Sequence, residues 1–191
     1  PMVFFWSEGE EKSLNVPSPQ SGGKQVRYIF NRWSDGLSKN HQITVPEDTT
    51  IYTAYFDTSY FLKIDSEYGT PMGEGWYNPG STAQVSIDSI AEDTVNVRQR
   101  FIKWTGVGDG SVNSSARNIL VTVNGPVVQT AHWTPQYYLT TQVVPEQTGS
   151  IVASPSHLWY DGGTEVGLLA AGKNSNIKFI GWSGDLDGNT N

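Results

Sequence analysis

The sequence predicts an all-β chain of tandem small domains in series, each a β-sandwich or β-grasp-like repeat. Two observations carry this expectation. Charged residues are only 16% of the chain, while Gly, Ser, Thr, Asn, Val and Tyr abound, which suits strands and tight turns rather than amphipathic helices. In addition, one set of aromatic blocks recurs along the 191 residues about three times.

The first block is an aromatic pair running into a glycine turn: Phe5-Trp6-Ser7-Glu8-Gly9, Trp76-Tyr77-Asn78-Pro79-Gly80 and Trp159-Tyr160-Asp161-Gly162-Gly163. The second is a strand built on Phe-x-x-Trp, with Phe30 and Trp33, Phe101 and Trp104, Phe179 and Trp182. These six side chains are expected to be core anchors, because an aromatic fixed at one place in every copy is how a small core is filled. The third block, Ile43–Val45 with Ala54–Phe56 and Val121–Val123 with Ala131–Trp133, reads as a closing β-hairpin. Fresh copies then open at Tyr60-Phe61-Leu62 and Tyr137-Tyr138-Leu139, so linkers of about three residues are expected. The Trp33–Trp104 and Trp104–Trp182 intervals are 71 and 78 residues. Such a period, roughly 75 residues, is a small domain rather than a solenoid turn.

The expected domains are 1–57, lacking its opening strand, 58–134, complete, and 135–191, lacking its closing hairpin. Both end copies would then leave unpaired sheet edges, open to a strand from elsewhere in a longer protein or from a neighbouring copy. Pro1 is not an initiator residue, so a processed product or an excerpt is expected. Within the second copy, strands are expected over 60–65, 83–90, 97–105, 118–123 and 127–133, with a short turn at Ser89–Asp93. Phe101 and Trp104 break strict alternation, which predicts a bulge or a strand end between them. Asn124-Gly125-Pro126 is a turn signal.

Nineteen acidic and twelve basic residues give a net charge of −7, which disfavours nucleic acid and anionic lipid as partners. No apolar run approaches the roughly 20 residues that span a bilayer. Cysteine is absent, which excludes disulfides and thiolate chemistry.

The motifs resemble the divergent internalin-B-type repeat, found in tandem in bacterial and archaeal surface proteins. Carrying the resemblance are the Tyr-x-Leu openings, the aromatic pair before glycine, and Phe-Ile-Gly-Trp-Ser-Gly-Asp at 179–185. Glu74-Gly75-Trp76-Tyr77 looks like the archaeal form. The third copy fits best; in the first, Arg32 and Asp35 replace Gly181 and Gly184. The resemblance implies export, tandem display at the cell surface, and a spacer or adhesive role, with no catalytic apparatus; the short linkers and open edges add the expectation of a stalk or of a filament subunit joined by donated strands.

Candidate chemistry is sparse. His41, His132 and His157 are scattered outside any metal-ligand spacing. Ser183 in Gly181-Trp182-Ser183-Gly184 lacks the Gly-x-Ser-x-Gly spacing of a nucleophile elbow. No catalytic, cofactor or metal residue is therefore assigned. Asp185, Asp187 and Asn189 alternate oxygen ligands as calcium would require, but without a distal Glu, and a plain turn is the simpler reading. Trp76 and Trp159, beside turns, are candidate ligand-facing aromatics for a surface glycan, and Asn113 in Asn113-Ser114-Ser115 is a candidate glycosylation site. Expected partners are copies of this chain or the rest of a longer one.

Overall fold

A computed structural model describes residues 2–92 and 94–185. The described chain contains no helix. It is all-β, as the composition predicts, in fourteen strands: β1 Glu11–Leu14, β2 Gln20–Ser21, β3 Val26–Trp33, β4 His41–Thr44, β5 Ala54–Asp65, β6 Gly75–Tyr77, β7 Ser81–Val85, β8 Ile90–Ala91, β9 Val97–Val107, β10 Ile119–Val123, β11 Val127–Tyr138, β12 Gly149–Ser154, β13 Trp159–Asp161 and β14 Gly167–Gly172.

The first and second copies repeat one pairing scheme. Antiparallel β1–β4 corresponds to β7–β10, and antiparallel β2–β3 to β8–β9. The turn after each aromatic pair is the same in all three copies. Gly9, Gly80 and Gly163 have φ of 75°, 78° and 83°, a left-handed conformation that any Cβ would strain. Each turn is closed by a backbone hydrogen bond: Glu10 to Ser7, Ser81 to Asn78 and Thr164 to Asp161.

Two expectations are corrected. The third block is not a hairpin. β10 pairs with β7, and β11 pairs with β5 and β13, so Asn124-Gly125-Pro126 carries the chain from one sheet to another. Alternation explains this: Ile119, Val121 and Val123 are buried with Ala83 and Val85 of β7, the pattern of a two-stranded layer with one face on a core. The stretch at Ser89–Asp93, expected as a turn, instead holds β8, whose Ile90 and Ala91 pair with Arg100 and Gln99. The expected strand over 83–90 accordingly ends at Val85, and Ser86 forms an isolated bridge to Met72.

The third departure is at the boundaries between copies. In place of three-residue linkers, β5 and β11 each run twelve residues unbroken. The boundaries expected from the period of the aromatic blocks, after residues 57 and 134, fall inside these two strands. Residues 54–60 of β5 pair antiparallel with β3, residues 60–62 with β6, and Leu62–Asp65 pair in parallel with Val127–Thr130 of β11. The first and last strands of the second copy are thus paired in parallel.

By contact, the described residues of 1–66, 70–87 and 103–131 form one compact unit and those of 67–69, 88–102 and 132–191 another. The first orders its main sheet β2-β3-β5-β11-β9. Its core holds Trp104, Leu62, Val85, Val121, Val123 and Val127, all essentially inaccessible. The second orders β8-β9-β11-β13 beside a separate β12–β14 pair. In β3 the register shifts between Phe30 and Arg32. β9 runs unbroken from Val97 to Val107, so no strand end falls between Phe101 and Trp104, and its burial pattern breaks alternation between them.

Candidate functional site at the repeat junctions

The anchor positions fall as follows. Trp33, Phe101 and Trp104 are buried, and Phe30 is half-buried. Trp33 and Trp104 share a contact: each indole N–H donates to a backbone carbonyl downstream, Lys39 at 3.0 Å and Arg117 at 3.3 Å. Phe30 meets Phe56 edge-on at 6.0 Å, and Phe101 meets Trp133 likewise at 5.8 Å. Phe179 and Trp182 are half-buried and lie 5.1 Å apart.

Trp76 and Trp159 sit at the junctions, on the short strands β6 and β13 that pair with the opening halves of β5 and β11. Cross-strand register places Phe61 opposite Trp76 and Tyr138 opposite Trp159, with ring centroids 5.1 and 5.2 Å apart. An arginine from the preceding copy covers each indole. The Arg27 guanidinium lies 4.4 Å from the Trp76 ring centre, and the Arg98 guanidinium 4.2 Å from that of Trp159. Arg27 and Arg98 occupy one position, three residues before the phenylalanine of Phe-x-x-Trp. A sugar ring stacking on these indoles would have to compete with a guanidinium already over the π face.

Around the second junction a polar relay extends the clasp. Arg98 Nε donates to Gln136 Oε1 at 2.9 Å, Gln136 Nε2 donates to Asp161 Oδ1 at 2.8 Å, and Arg100 Nε donates to the same oxygen at 3.0 Å while its Nη2 reaches Asp161 Oδ2. The Arg100 hydrogen bond holds the Asp161 carboxyl below the usual carboxylate range against the opposing effect of burial, with Gln136 helping. In turn Asp161 raises the Arg100 guanidinium above its ordinary value. At the first junction the corresponding residues are Ser59, Asn78 and Ile29. Ser59 Oγ reaches only Asn78, at 3.4 Å, and Arg27 Nε is buried without a hydrogen-bond partner.

The other candidates lie apart. His41 bridges Ser38 O at 2.7 Å and Asp35 Oδ2 at 3.0 Å, beneath Trp33. His132 is half-exposed, and the backbone N–H of His157 donates to the Tyr160 hydroxyl. Asn113 is exposed, and its Oδ1 accepts the Gly106 N–H at 2.9 Å; a glycan would join at the side-chain nitrogen. Of the calcium candidates Asp185 is exposed, while Asp187 and Asn189 lie outside the described residues. Among the described residues no cluster of three or more His, Asp or Glu side chains could hold a metal ion. Among the described residues no helix is long and apolar enough to cross a membrane.

Sequence reasoning passed over Arg27, Arg98, Arg100, Gln136 and Asp161. One signal for them existed: Val26-Arg27 and Val97-Arg98 stand at the same distance from their Phe-x-x-Trp blocks.

Strands that run through the expected boundaries, and junctions each closed by an arginine, a tryptophan and a second aromatic ring, fit a tandem β-repeat architecture. Residues 139–191 match the family model described as the divergent InlB B-repeat domain, the family that the motifs resemble. Neither the curated proteins nor the solved structures gave a match to the chain.

Proposed function

We propose that the chain is a stalk segment of an extracellular cell-surface protein, made of repeats 1–57, 58–134 and 135–191 that hold their spacing because no slack separates them. The InlB-type family suggests a repeat region of a surface protein. The observation that carries the stalk reading is the unbroken run of β5 and β11 from one repeat into the next. A flexible linker samples many end-to-end distances, whereas a strand paired on both sides of the boundary must break hydrogen bonds to bend. The chain lacks cysteine, so spin labels can be placed without background. Labels at Lys39→Cys and Asn118→Cys, exposed positions in the first and second repeats, are expected to give one narrow distance distribution. A broad one would contradict the stalk.

A second reading, filament assembly by strand complementation, is favoured by one observation. The second repeat closes through parallel pairing of Leu62–Asp65 with Val127–Thr130. The corresponding segments 50–53 of the first repeat and 139–142 of the third carry no strand. The third repeat also has a groove of about 350 Å³ whose lining includes Ile151, Ala170, Phe179 and Trp182. A strand from a neighbouring copy would satisfy such edges. Purified protein would then polymerise; a stable monomer at high concentration rules this reading out and leaves the stalk untouched.

A further inference from the structure

We infer that the arginine three residues before Phe-x-x-Trp is the seat for the next repeat: a surface on one copy that takes the aromatic pair of the copy after it and fixes the junction. The geometry is present twice. Arg27 on β3 covers Trp76 of β6, and Arg98 on β9 covers Trp159 of β13, at 4.4 and 4.2 Å. In each case the indole's other ring partner comes from its own opening strand, Phe61 or Tyr138. The indole therefore touches both copies at once. A guanidinium is suited to this task because it is planar, weakly hydrated and permanently charged, and it can stack on an indole while its edge still donates, as Arg98 does to Gln136.

The seat selects for chemistry as well as shape. A following segment that lacks an electron-rich ring at this place would leave a half-buried guanidinium without its partner, a cost that falls on wrong neighbours and not on the right one. The Phe-x-x-Trp register places Asn176 at the equivalent position of the third repeat. Asparagine has neither the charge nor the plane, so the third repeat does not offer this seat. Phe5, which holds the Trp76 and Trp159 place in the first repeat, is 95% exposed. The inference stands on the geometry of two junctions, and it holds whether the repeats serve as a stalk or as a filament subunit.

Hydrogen exchange on the full chain tests it. At the second junction the Tyr138 N–H donates to Asn96 O and the Leu139 N–H to Leu158 O, both at 3.0 Å. Arg98→Met keeps the length of the side chain and removes the cation. It is expected to speed exchange of these two amides roughly 2- to 30-fold relative to amides of β10, the range that a cation–π contact spans. In a Trp159→Leu background the same substitution should accelerate exchange clearly less, the remainder being the lost Nε hydrogen bond to Gln136, because the ring partner is already gone. Arg98→Lys should fall between wild type and Met, whereas a role through bulk alone would make Lys and Met alike. Equal acceleration with and without Trp159, or no acceleration, overturns the proposal. If Arg98→Met fails to fold, Arg27→Met gives the same reading at the first junction through the Phe61 amide, which donates to Gln25 O at 3.0 Å; there the arginine Nε has no hydrogen bond to lose.

Discussion

Asp161 shows how much one side chain can do at a junction. It accepts from Arg100 and from Gln136, and Gln136 in turn accepts from Arg98, so a single carboxylate ties β9, β11 and β13. Its folded pKa lies below the ordinary value because Arg100 hydrogen-bonds the charged form. A depressed carboxylate contributes stability that is fully present above the unfolded value of about 3.9 and is lost as pH falls through the folded value. Acid titration should therefore weaken the second junction below about pH 4, an effect absent from Asp161→Asn. Thermal unfolding of both proteins between about pH 5 and pH 2 checks this: wild type should lose its advantage over the variant as pH falls. Because both partners are more than a third exposed, the effect is that of a screened surface pair and not of a buried one. The Phe-x-x-Trp block was legible in the sequence because it repeats without change; of its six expected anchors, Trp33, Phe101 and Trp104 are buried and Phe30, Phe179 and Trp182 half-buried. The clasp was not legible, since an arginine on a half-polar strand reads as ordinary solvated charge until a neighbouring strand brings an indole over it.

At the scale of elements, the informative cases are the strand that bridges two copies and the loop that a buried amide holds down. Period-two alternation found the strands β7 and β10, whose burial alternates. It did not reveal their partners, because adjacency in sequence favours a hairpin whereas the buried faces favoured β10 on β7. The boundary within β5 was hidden for a related reason. Asp57, Thr58 and Ser59 look like a polar linker, yet Ser59 is buried and all three face partners in β3. Gln129 of β11 is fully buried, and its amide both accepts from Val112 N at 2.9 Å and donates to Val112 O at 2.8 Å. It pins the loop that bears Asn113. Gly106 leaves the room for this, since any Cβ there would run into the Gln129 side chain. Gln129→Leu is expected to cost about 1–3 kcal/mol by leaving the Val112 backbone groups without partners, measurable by denaturant unfolding. Local proteolysis between residues 108 and 116 should rise with it.

For the molecule as a whole, sequence period and packing draw different lines. The aromatic blocks mark copies by their order along the chain, while contact groups much of the second copy with the first and the rest with the third. The period was legible because it depends on local chemistry: a glycine turn, an aromatic pair and a Phe-x-x-Trp strand. The grouping was not, because it depends on which strands cross a boundary and pair beyond it. Both follow from one physical claim: neighbouring copies share a strand. Amide exchange along β5 tests that claim most directly. Ser59 and Thr58 stand opposite Arg27 and Tyr28 in an antiparallel ladder, so amides of 57–60 that point into the ladder should exchange as slowly as those of 62–65. Exchange at the rate of an open loop over 57–60, with 62–65 still protected, would show a linker there and contradict the account.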